Sequence, residues 1–103
     1  MIQINTDNVI SGTQERMQPL EALIADQLDR FSEHITRIEV HLGDENSHKQ
    51  GTNDIRCMIE ARLEGIQPVA VTNHAADQHY AVKGAIDKMK SILDRKLGKM
   101  KNH

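Results

Sequence analysis

Aromatic rings are nearly missing from this chain of 103 residues, which has no tryptophan, one tyrosine (Tyr80) and one phenylalanine (Phe31). Its core must therefore be aliphatic. Single-strand recognition by base stacking uses two or three exposed rings on one platform, so that class of reader is disfavoured and a duplex or phosphate-backbone reader fits better. Cysteine is also scarce. Cys57 stands alone, which excludes an intrachain disulfide and suits a reducing compartment. No apolar run approaches the roughly 20 residues needed to span a bilayer. The opening MIQINTDN lacks the basic start and apolar stretch of a secretion signal, so a cytoplasmic protein is expected.

Signatures of chemistry are missing too. There is no nucleophile motif, P-loop, glycine fingerprint or paired-carboxylate spacing, and an enzyme is not expected. Asp44, Glu45 and His48 share a polar stretch, but no second ligand pair arrives with metal-site spacing, so neither metal nor cofactor is expected and a solvated acidic loop is the plainer reading. His74 and His79 are five apart, which does not stack them on one helix face. Cys57 faces inward by alternation and reads as a small buried hydrophobe, not a nucleophile.

What the chain does have is a split of charge. The helical pattern read from Tyr80 to His103 carries seven basic residues against two acids, a net +5, whereas Met1 to His79 carries six basic residues against thirteen acids, a net −7. The total of −2 conceals this. Phosphates respond to the local field, so the C-terminal segment is where an anionic partner would be met.

The length fits one domain over residues 1–103, without repeats, linkers or low-complexity segments. Ile2 and Ile4 alternate before the turn residues Asp7 and Asn8, a short strand. Helical spacing follows from Ser11 or Thr13, either of which could cap, with Met17, Leu20, Ile24, Leu28, Phe31 and Ile35 on one face. Pro19 requires that this helix bend there or begin its regular part nearby. Thr36 to Asp44 alternates strictly, with Ile38, Val40 and Leu42 inward, and a polar loop spans Gly43 to Gly51. A second alternating run puts Ile55, Cys57, Ile59, Ala61 and Leu63 inward. Gly65-Ile66 turns into a last strand from Gln67 to Thr72, where Pro68 suits an edge. The outward charges of the middle strands, Arg37, Glu39, Arg56, Glu60, Arg62 and Glu64, are expected to pair across strands.

The final helix repeats apolar residues at Val82, Ile86, Met89, Leu93, Leu97 and Met100, each able to contribute about 1.5 to 3 kcal/mol on burial. The order strand, helix, three strands, helix predicts an α+β fold: a four-stranded sheet with both helices on one face, its first two strands parallel through a right-handed crossover and the rest antiparallel. On the last helix the apolar stripe is flanked by Lys83, Lys90 and Lys101 on one side and by Lys88, Arg95 and Lys99 on the other. Asp87 and Asp94 fall between the flanks. Lysine stems covering the rim of a core, and cations complementing a helix C-terminus, explain part of this pattern. The net excess of charge is what points to RNA.

The whole length from Ile2 to Met100 resembles the ribosome hibernation-promoting factor family, also called ribosome-associated inhibitor or sigma-factor modulation proteins. The resemblance rests on Leu28-Asp29-Arg30-Phe31 through Ile35, on Ile38-Glu39-Val40, and on Ala81-Val82-Lys83-Gly84-Ala85-Ile86-Asp87-Lys88-Met89 leading to Leu93. Val40 to Asn46 and Arg56 to Leu63 look like a divergent, short-form branch. The resemblance implies a β-α-β-β-β-α fold similar to double-stranded RNA-binding domains, and binding to small-subunit ribosomal RNA that silences idle ribosomes. It also implies basic residues at the positions of Lys88, Arg95 and Lys99. This chain departs from the family's pattern in having His79 where tyrosine is usual, Lys83 where an acid is usual and Ser91 where arginine is usual. Its first helix has Arg16 and Arg30 against Glu15, Glu21, Asp26, Asp29 and Glu33, where family members are richer in lysine. The expected RNA-binding residues are Lys83, Lys88, Lys90, Arg95, Lys96 and Lys99, in a free monomer with no membrane or small-molecule partner. The rival expectation is a protein-interaction or stress-regulatory module of the same fold, without ribosome binding.

Overall fold

The computed structural model describes residues 2–6, 14–44 and 55–101. Strand β1 (Ile2–Thr6) leads to helix α1 (Gln14–Gln27), a 3-10 turn (Asp29–Phe31), strands β2 (Ile35–Asp44), β3 (Ile55–Leu63) and β4 (Ile66–Ala75), and helix α2 (Gln78–Lys101). The strands form one sheet in the order β1-β2-β3-β4, with β1 parallel to β2 and both later pairs antiparallel. This is the expected α+β architecture.

Period-two alternation decides which sheet face is covered. Ile38, Val40 and Leu42 of β2, Cys57, Ile59, Ala61 and Leu63 of β3, and Val69 and Val71 of β4 are buried on it. Against them pack Met17, Leu20 and Ile24 of α1 and Ala81, Val82, Ala85, Ile86, Met89, Leu93 and Leu97 of α2, in one continuous aliphatic core. Phe31 is the ring within it. Gly65, with φ of 81°, takes the left-handed conformation that the Glu64-Gly65 turn between β3 and β4 requires.

Several boundaries differ from those read in the sequence, among them the turn read at Gly65-Ile66, which lies at Glu64-Gly65 with Ile66 already in β4. The helical spacing of three and four runs from Leu28 through Phe31 to Ile35, but the helix stops at Gln27. Leu28 leaves helical geometry at φ −103° and ψ 8°, Phe31 lies in the 3-10 turn, and Ile35 opens β2 opposite Leu63. Gly43 and Asp44 pair with Arg56 and Ile55, so the strand end read at Asp44 holds and the loop start read at Gly43 does not. The last strand runs past Thr72 to Ala75 and includes His74. Finally, α2 starts at Gln78, two residues before Tyr80. The caps read at Ser11 or Thr13 and the loop from Glu45 to Gly51 lie outside the described residues. Pro19 sits inside α1, exposed.

The open sheet face carries its charges as ladders. Glu39 stands opposite Glu60, and Arg37 opposite Arg62, so like charges face each other directly. Compensation runs along strands and diagonally: Arg37 to Glu39 at 3.3 Å, Arg62 to Glu60 at 3.4 Å and Arg62 to Glu39 at 3.7 Å. Arg37 also donates to the Gln3 side chain on β1. This face thus neutralises itself.

Candidate nucleic-acid interface

Helix α2 is fixed at its start by three residues around one turn. The Asp77 carboxylate accepts the Tyr80 N–H at 2.8 Å, and the Asp77 carbonyl accepts from Ala81 at 3.0 Å, so Asp77 is the N-cap. Asn73 lies on the covered side of β4 and donates from Nδ2 to the carbonyls of Ala81 at 3.2 Å and Tyr80 at 3.4 Å. Gly84 makes room for it. A methyl there would lie 2.6 Å from the Asn73 Cγ and closer still to Nδ2.

With its apolar stripe buried, α2 presents two flanks of different character. On the side of β4, Lys88 donates from Nζ to the Thr72 carbonyl at 2.7 Å, on a sheet edge. Further along, exposed Arg95 and Lys96 border a shallow notch with Pro68, Val69 and Ile92. On the side of α1 the charges are mixed. Exposed Lys83 and Asp87 line a groove with Leu23 and Gln27, half-buried Lys90 donates to the Gln27 side chain at 3.1 Å, and Asp94 pairs with Arg30 at 2.8 Å. Both acids of the helix therefore lie toward α1.

Among the described residues, no carboxylate comes within 4.0 Å of the charged groups of Lys83, Lys88, Lys90, Arg95 or Lys96. The structure brings Lys88, Arg95 and Lys96 together along β4 and sets Lys83 and Lys90 on the opposite flank. Lys99 belongs to the last turns of α2, and its side chain is outside the described set. An unneutralised cationic row beside a sheet edge attracts a polyanion by field.

Around the first helix and the turn that follows it, Arg30 is engaged by Asp94 and lies over the Phe31 ring at 4.5 Å, while Glu21, Asp26 and Glu33 are exposed. Their carboxylates reduce the positive field on that side. Cys57 is fully buried and desolvation pushes its thiol up from 9.0 to about 12, which makes it inert near neutral pH. No group of three or more His, Cys, Asp or Glu side chains gathers among the described residues. Sequence reasoning missed Asp77 and Asn73. An Asp three residues before the first well-placed donor was a readable cap signal, whereas the Asn73 contact depends on how α2 crosses β4.

No helix among the described residues is long and apolar enough to cross a membrane. The fold recurs in solved structures. A crystal structure of the Protein Y N-terminal domain from Thermus thermophilus superimposes with a TM-score of 0.69 at 22% identity, covering 91% of this chain and 93% of that one. A ribosomal subunit interface protein from Coxiella burnetii superimposes with a TM-score of 0.64 at 15% identity, covering 94% and 97%. No curated protein sequence matches the chain. The family model described as sigma 54 modulation protein / S30EA ribosomal protein matches residues 8–102, and on that near-complete match the chain belongs to this family.

Proposed function

We propose that the protein is a cytoplasmic, non-catalytic ribosome-associated factor that lays α2 on small-subunit ribosomal RNA and holds idle ribosomes silent. The observation that carries this reading is the row of Lys88, Arg95 and Lys96, which no described carboxylate neutralises although the chain as a whole is acidic. Lys99 continues the row by its position on the helix, and Lys83 and Lys90 reach phosphates from the other flank. The exposed acids of α1 face away from the RNA and set the orientation of docking. Family membership and the resemblance of the fold to a ribosomal subunit interface protein support the choice of partner.

Backbone contacts make such binding salt-dependent, by about 0.7 to 0.9 log units of affinity per log unit of salt for each phosphate neutralised. Six engaged cations give a slope near 5, hence roughly a three-hundredfold to two-thousandfold loss between 50 and 200 mM salt. The test is co-sedimentation of purified protein with small subunits over that range, with the double variant Lys88→Glu/Arg95→Glu beside it. Loss of binding by a variant that melts normally supports the reading. Binding that ignores both salt and the reversal overturns it.

A further inference from the structure

Tyr80 is the exposed large hydrophobic side chain among the described residues, at 61% of its full accessibility. An exposed tyrosine is ordinary in itself. This one is held in an unusual setting. Its backbone is fixed on both sides, by Asp77 at the N–H and Asn73 at the carbonyl. Its ring leans edge-on to His79, with centroids 5.5 Å apart and planes 75° apart. In a helix, the side chain four residues later points back over the ring. Here that position is Gly84, which carries no side chain to cover it. Lys83 lies one turn on at one side and Lys88 two turns on at the other, which places the ring between the two cationic flanks at the start of α2.

We propose that Tyr80 stacks on one unpaired nucleobase of the RNA whose phosphates run along α2, so that the preferred partner is a duplex interrupted by an extruded base. This rests on the RNA-binding reading above and adds to it a local requirement on RNA shape. A lone ring cannot serve as a single-strand platform, but it can hold one base beside a duplex backbone.

The chain supplies its own probe. It has no tryptophan and one tyrosine, so its intrinsic emission reports Tyr80 alone. The experiment titrates the full chain at low salt with two hairpin RNAs that differ by a single bulged adenine. The bulged hairpin is expected to quench tyrosine emission and bind more tightly. Tyr80→Leu should lose about tenfold of that affinity and none of the affinity for the unbulged hairpin, and Tyr80→Phe should restore the preference. Equal binding of both hairpins, with emission unchanged and Tyr80→Leu indifferent, overturns the stacking role and leaves the RNA reading standing. If neither hairpin binds, the stacking role and the RNA reading both fall. Equal melting temperatures for the three proteins show that the ring acts on RNA and not on folding.

Discussion

Replacing Gly84 by alanine should destabilise this protein, against the usual effect of that substitution in a helix. In a helix interior, Gly→Ala is favourable by about 0.8 to 1.0 kcal/mol. Here the new Cβ would fall 2.6 Å from the Asn73 Cγ, so turning the amide about its last bond is not enough and the whole side chain must leave its rotamer. Departure from a rotamer minimum costs about 0.5 to 1.5 kcal/mol. Losing the bonds to the Ala81 and Tyr80 carbonyls strands a half-buried amide, at about 1 to 3 kcal/mol. The net is a loss of about 1 to 3 kcal/mol, or a melting temperature lower by roughly 5 to 15 °C for a domain of this size. Urea denaturation of a double-mutant cycle isolates the cause. With Asn73→Ala already present the clash is gone, and Gly84→Ala should then stabilise by about 0.8 to 1.0 kcal/mol. The reasoning is wrong if Gly84→Ala raises stability in the native background, or shifts it equally in both.

Three further outcomes are expected. Asp77→Ala removes the α2 cap and should lower stability by about 1 kcal/mol; an unchanged urea midpoint would show that Tyr80 N–H finds another acceptor at no cost. For Cys57 the folded thiol is pushed up to about 12 from 9.0, so its contribution is whole below pH 9 and is lost as pH rises toward 12. The stability gap between the native chain and Cys57→Ala should therefore narrow between pH 8 and 10.5, and a constant gap would contradict the burial argument. Asp94→Asn breaks a pair whose partners are both more than half exposed, so stability should change by less than about 1 kcal/mol, while release of Arg30 and removal of an acid strengthen RNA binding; weaker co-sedimentation would refute this.

The strands and their inward residues were legible because each reads as strict alternation, and the registers place Val40, Ile59 and Val71 side by side as that pattern demands. Two departures have physical causes. Helical spacings of three and four continued through Leu28, Phe31 and Ile35 although the chain changes from helix to turn to strand, because different elements present their apolar residues to the same core. The end of β4 was concealed by Asn73, a polar residue on the covered face whose alternation continues to Ala75. Its amide is acceptable there because carbonyls of α2 receive it, a partner that no local pattern reveals. The cations of the candidate interface were visible on a helical wheel. Which flank stays free of acids was not, since that depends on Arg30 approaching Asp94 from 64 residues away.

The bond from Lys88 to the Thr72 carbonyl bears on how costly association is. A lysine normally surrenders up to about 2 kcal/mol of rotamer freedom when it is immobilised. Tethered to the margin of the sheet, Lys88 has met much of that loss during folding, and its ammonium keeps two of three donors for a newcomer. The same tether occupies an acceptor on the sheet margin that would otherwise invite a foreign strand, so one side chain both discourages self-assembly and holds its charge in a fixed position.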